Sequence, residues 1–132
     1  MKPKHIRAWF EKSLRDIAIA KHNLTADPPF TDSAVFHCQQ AVEKALKGFL
    51  AFHKTPFSKT HDIGQLSELV KKIDPSLDSV LFQCSELTPY ATVFRYPGEP
   101  IDPSLEEAND SIILAQSALD QIVSRLPKEI SP

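Results

Sequence analysis

Between Ser104 and Leu126, apolar side chains recur at steps of three and four: Leu105, Ala108, Ile112, Ala115, Leu119, Ile122 and Leu126. That period matches one stripe of an α-helix, and a chain that carries it must supply other helices to cover the stripe. Ser104 followed three residues later by Glu107 predicts a capping box at its start. The pattern repeats upstream. From about His5 to Thr25, Ile6, Phe10, Leu14, Ile17 and Leu24 share one face, with Arg7, Glu11, Lys12 and Arg15 outside it. Asp27-Pro28-Pro29 ends that helix, because each proline lacks a donor and turns the preceding residue away from helical geometry. Thr31 or Asp32 is placed to cap a second helix, in which Val35, Cys38, Val42, Ala45, Leu46 and Phe49 align until about Lys54. Asp62, with Gln65 as its reciprocal partner, predicts the start of a third that ends at Ile73. Asp74-Pro75 opens a fourth, carried to Pro89 by Leu77, Val80, Leu81, Cys84 and Leu87. Nothing alternates with the period of two that a strand requires. The expected fold class is all-α: an antiparallel up-and-down bundle of four long helices plus one shorter helix, as a single domain over residues 5–126.

The 132 residues suffice for one hydrophobic core. With 15 lysines and arginines against 17 acids, the formal net charge of −2 supplies no global attraction for nucleic acid, so such binding has to come from a local patch. Cys38 and Cys84 both fall on apolar helix faces and read as buried, reduced thiols rather than a disulfide framework. The first residues lack the apolar run of a signal peptide, and no window approaches the ~20 apolar residues of a membrane span. A cytoplasmic protein away from membranes is the expectation.

Chemistry has few places to reside. The histidines His5, His22, His37, His53 and His61 form no pair at i,i+4, and the cysteines no pair at ligand spacing, so neither a metal nor a cofactor is expected. The three glycines are isolated, which excludes a glycine-rich phosphate loop. On the second helix, His37, Gln40, Lys44 and Lys47 recur opposite the apolar face, and Gln40, Lys44 and Lys47 form a short amide-bearing, positive row able to take an anion. Glu43 and Lys47 read as an ordinary surface i,i+4 pair worth a few tenths of a kcal/mol. His61-Asp62 reads either as a helix start, with Asp62 as cap and His61 bonding a nearby carbonyl, or as a catalytic dyad, and His61 also stands among the candidate phosphate contacts. Thr88 to Pro103 holds four of the eleven prolines, yet Tyr90, Val93, Phe94 and Tyr96 crowd around Arg95. The Arg95 guanidinium either stacks on Tyr90 or Tyr96 to fix this loop, or clamps a phosphate while an aromatic neighbour takes a base. Phe52, Phe57, Phe82 and Phe94 are candidates for an interface.

Three blocks carry a resemblance: Gln39-Gln40-Ala41-Val42-Glu43-Lys44-Ala45-Leu46-Lys47-Gly48-Phe49-Leu50, then Lys59-Thr60-His61-Asp62-Ile63, then Arg95-Tyr96-Pro97. In order and spacing they resemble the HEPN domain (higher eukaryotes and prokaryotes nucleotide-binding), over about residues 5 to 126. The resemblance implies a bundle of about five helices that usually forms a homodimer. Members often accompany a small nucleotidyltransferase partner, and some belong to toxin–antitoxin pairs. Others are metal-independent ribonucleases, in which four to six residues separate an arginine from a histidine near the start of the last helix. Here Arg95 is followed by Tyr96-Pro97-Gly98-Glu99-Pro100-Ile101-Asp102, with no histidine, and arginine alone cannot exchange the protons that strand cleavage requires. The spacing recurs at Arg15 and His22, where it lies on the wrong helix and at a frequency that chance explains. The expectation is a non-catalytic module that dimerises and binds a nucleotide, an RNA or a nucleotidyltransferase partner. The alternative is a ribonuclease toxin of a toxin–antitoxin pair. The nucleotide- or phosphate-binding set would be Arg95, Tyr96, Tyr90, Lys44, Lys47, Gln40 and His61.

Overall fold

The computed structural model describes residues 2–90 and 103–132, so Arg95, Tyr96 and Phe94 lie outside the described residues. Among the described residues the regular structure is helical, with no strand: α1 (Pro3–Asn23), α2 (Thr31–Phe52), α3 (Ile63–Ile73), α4 (Asp78–Cys84) and α5 (Leu105–Val123). The all-α bundle read from the periodicity is what forms. Its hub is α2, which packs along α1, α5 and α3 and buries Val35, Cys38, Val42, Ala45, Leu46 and Phe49 as its spacing requires. Among the described residues, no helix is long and apolar enough to cross a membrane.

The helices α1 and α2 approach each other closely. A Cβ placed on Gly48 would stand 2.7 Å from Phe10 Cζ and 2.9 Å from Trp9 Cβ, so only a hydrogen fits where the two helices cross. Ser13 marks the same seam, its hydroxyl donating to the Ala41 carbonyl at 2.7 Å.

Two caps follow the sequence. Asp62 accepts from the Gly64 and Gln65 amides (2.8 and 3.4 Å) at the start of α3, but its own amide donates to Thr60 Oγ1 at 3.0 Å, so Thr60 takes the reciprocal role expected of Gln65. Ser104 and Glu107 close their box at α5, with distances of 3.0 and 3.5 Å. At α2 the expected cap is displaced. Phe30 is the capping residue and makes no side-chain bond, while Thr31 and Asp32 already lie in the first turn, Thr31 buried and the Asp32 carboxylate bonded to the next amide. An aspartate there still complements the positive end of the helix dipole.

The fourth helix is broken rather than continuous. A 3-10 turn at Pro75–Leu77 precedes α4, and another at Ser85–Leu87 follows it. Ser85 Oγ donates back to the Phe82 carbonyl at 2.6 Å, an i−3 bond that accompanies the tightening of the chain. Asp74 caps the first of these turns through the Ser76 amide, and Arg125 at the far end of α5 reaches both Asp74 and Ser76.

Some periodic positions miss the core. Leu105 is 49 % exposed and Leu14 is 39 % exposed, because each sits at the rim of its helix's stripe where no described helix covers it. Conversely, Ile130 lies beyond the last helix and is buried in the core. Both cysteines are buried free thiols. Burial pushes each up to about 12, with the Asp16 charge adding to the effect at Cys38.

Candidate phosphate-binding face

Two carboxylates lie inside the bundle where a purely apolar stripe would place hydrocarbon. Asp16 falls on the inward arc of α1, and Glu43 lies on the flank of α2 next to its apolar face. Their side chains are only 7 % and 5 % exposed, a position a carboxylate occupies only when its charge is paired. Each is paired twice, and in the same way. Asp16 Oδ1 is 2.8 Å from His37 Nδ1, and its Oδ2 is 2.6 Å from Lys44 Nζ. Glu43 Oε1 is 2.8 Å from His61 Nδ1, and its Oε2 is 3.0 Å from Lys47 Nζ.

Amides join the second cluster to its surroundings. Gln39, fully buried, donates to the His61 carbonyl at 3.0 Å and to Glu43 Oε1 at 3.3 Å, while Gln40 donates to Gln39 Oε1 at 2.7 Å. The result is a polar belt on one side of α2, anchored to α1 through Asp16 and to the α2–α3 connection through His61. An ionised carboxylate only accepts hydrogen bonds, so Nδ1 carries the proton in both imidazoles and Nε2 is turned away from the carboxylate. The His61 side chain is 58 % exposed, which offers that second nitrogen to solvent. Such an arrangement fixes the tautomer and the orientation of the ring, as a carboxylate does for any working histidine.

Four of the predicted site residues therefore meet on this belt: Gln40, Lys44, Lys47 and His61. They are not equally free. The Lys47 side chain is only 11 % exposed, spent on Glu43 and lying 6.0 Å from the centre of the Phe57 ring, so the pair read as a surface bridge is instead a buried ion pair. The partner of His61 is likewise a carboxylate and not the carbonyl expected beside a cap. Tyr90 lies elsewhere, in a cavity of about 220 Å³ that it lines with Glu86, Glu107 and Asp110. Burial first, then the charges of Glu107 and Glu86, hold its phenol above the usual range, and that acidic company repels phosphate. Arg95 and Tyr96 fall outside the described residues. Asp16 and Gln39 were not among the predicted residues, although Asp16 left a signal: a charged residue at an inward position of an amphipathic helix. Among the described residues there is no cluster of three or more groups able to hold a metal ion.

The sequence pattern of the HEPN domain matches residues 6–126, most of the chain. The chain belongs to the HEPN domain family. No curated protein and no solved structure matches it. Within this HEPN domain the first two blocks of the resemblance converge in space, since Gln39, Glu43 and Lys47 come from one and His61 from the other. HEPN domains are nucleotide- and RNA-binding modules, often ribonucleases.

Proposed function

We propose that residues 5–126 form a single HEPN module of the cytoplasm that acts as a homodimer and binds a nucleotide, an RNA or a nucleotidyltransferase partner, without cleaving RNA. The observation that supports this reading is the belt itself. Lys44 and His61 each present a polar edge to solvent while a buried carboxylate holds them from behind, so their positions are set before any ligand arrives. Gln40 adds an amide between them, and Arg95 and Tyr96 are assigned to the same ligand as phosphate clamp and base platform. Of the aromatics read as interface candidates, Phe82 is exposed and, with exposed Phe30, Leu105 and Ile113, supplies apolar area that a second copy would cover, whereas Phe52 and Phe57 are partly buried against the core. Thermal melting with and without ATP or a short RNA tests the reading: a ligand-dependent rise in Tm should vanish in Arg95→Ala and fall in His61→Asn. Unchanged shifts in both variants would refute the assignment, and light scattering decides the dimer.

One observation favours a second reading, a ribonuclease toxin. The exposed imidazole of His61, backed by Glu43, has the form of a proton-transfer group, which Arg95 lacks. Incubation with RNA in EDTA separates the two, because cleavage that disappears in Arg95→Ala or His61→Asn belongs to the enzyme and its absence to the binding module.

A further inference from the structure

The small net charge conceals a segregation. Through His61 the chain carries ten lysines and arginines against five acids, and beyond it five against twelve. Two of the five acids are Asp16 and Glu43, already buried and paired. In contrast, α5 contains Glu106, Glu107, Asp110 and Asp120 and no basic residue. The basic excess is laid out along α1. Lys4, Ala8, Lys12, Arg15 and His22 recur at helical spacing on its exposed side, opposite the buried Ile6, Phe10, Ser13, Ile17 and Ala20. The side chains of Lys4, Lys12 and Arg15 make no hydrogen bond or ion pair with another described residue, unlike those of Lys44, Lys47, Lys71 and Arg125. The acid on this side, Glu11, is held by Arg7 at 3.3 Å. Between the cations lies a depression of about 330 Å³ lined by Ala8, Glu11, Lys12 and Arg15.

The neighbouring connection extends the same surface. The Phe57 and Trp9 rings meet in a T-shaped arrangement with centroids 6.4 Å apart, which brings the α2–α3 connection with exposed Lys54 and Lys59 alongside α1. Lys12 stands one turn before Asp16, so the ridge borders the polar belt. At 1.5 Å per residue, Lys4 to His22 spans about 27 Å, far longer than any mononucleotide.

We infer that this ridge of α1 is a track for the phosphate backbone of RNA, leading to the belt. The inference rests on the function proposed above and narrows its ligand from a nucleotide or RNA to RNA. Spaced cations with no partner among the described residues suit a polyanion, because each phosphate they neutralise releases counterions to solution.

The test is fluorescence anisotropy with a labelled single-stranded RNA of about 12 nucleotides, read over a salt series. Three backbone contacts from Lys4, Lys12 and Arg15 set a slope of log K against log salt of about −2, at about −0.7 per phosphate. Lys12→Glu/Arg15→Glu, whose positions are exposed and leave the fold intact by circular dichroism, should weaken binding at least tenfold and flatten the slope by about 1.4, whereas Lys72→Glu on α3 should change little. Equal losses in both variants, or none, would overturn the inference. So would RNA that fails to bind while anionic phospholipid vesicles bind through the same two residues. If ATP raises Tm through the belt but RNA does not bind, the track is refuted and the module's proposed function stands; if neither ligand binds, both fall.

Discussion

Replacing Gly48 with alanine sets two known effects against each other. Within a helix, alanine is favoured over glycine by about 0.5–1 kcal/mol, so an unconstrained glycine in the middle of α2 would gain stability on substitution. Here the new methyl group would meet Phe10 Cζ at 2.7 Å, Phe10 Cε2 at 2.9 Å and Trp9 Cβ at 2.9 Å. Phe10 is 0 % exposed and cannot swing out to solvent, and the Trp9 Cβ is carried by the α1 backbone, so the helices themselves have to separate. Overpacking of this kind costs about 1–3 kcal/mol, and with both neighbours fixed the upper part of that range applies. The net effect is a loss of about 1–2 kcal/mol, or about 3–8 °C in Tm for a chain of this size. Thermal and urea unfolding of Gly48→Ala measure it. Adding Phe10→Leu should return part of the loss, with a coupling of about 0.5 kcal/mol or more, because the smaller side chain opens the space. A Gly48→Ala protein as stable as the wild type, or more so, would show that the seam is not packed as described. The change has a functional side too, since parting α1 from α2 draws Asp16 away from His37 and Lys44 and loosens the belt.

Glu43→Ala should cost about 3–5 kcal/mol in urea unfolding, because it strands the buried Lys47 ammonium, while Glu43→Gln, which keeps the shape and one acceptor, should cost distinctly less. The cysteine thiols rise from 9.0 to about 12 on folding, so the stability they contribute is complete below about pH 9 and fades as pH climbs through 12. A Tm–pH series should therefore fall over that alkaline interval, less steeply in Cys84→Ala, and the native thiols should resist alkylation at pH 8 until urea unfolds the chain. Ser104→Ala removes the box at α5 and should lower stability by about 1 kcal/mol, measured by chemical denaturation.

Local signals carried most of the fold. The stripes of α2 and α5, and the caps at Asp62 and Ser104, depend on residues within a turn or two of one another, and each reappears in three dimensions. Features set by neighbours distant in sequence did not. Nothing near Glu43 announces that His61, eighteen positions on, completes its pairing, so its bond to Lys47 reads from sequence alone as surface decoration. Asp16 depends on residues 21 and 28 positions away. The rim positions Leu14 and Leu105 fit the helical period, but period says which way a side chain points and not whether another helix lies beyond it. The break around α4 was equally hidden, since the pattern from Leu77 to Leu87 suits a continuous helix and a 3-10 turn alike.

Both buried carboxylates have each oxygen already engaged by a nitrogen, and that saturation governs how the belt meets an anion. A phosphate arriving at Lys44 meets an ammonium that gives one N–H to Asp16 and keeps donors for a newcomer, so the carboxylate stays in place and the contact joining α1 to α2 is kept. Binding there is an addition made against a standing negative charge, with a net gain smaller than the contact alone suggests. On the ridge of α1, Lys4, Lys12 and Arg15 have no ion-pair partner among the described residues. The two surfaces thus differ in kind: salt weakens the ridge directly, whereas the belt favours the anion whose charge best outweighs that of Asp16.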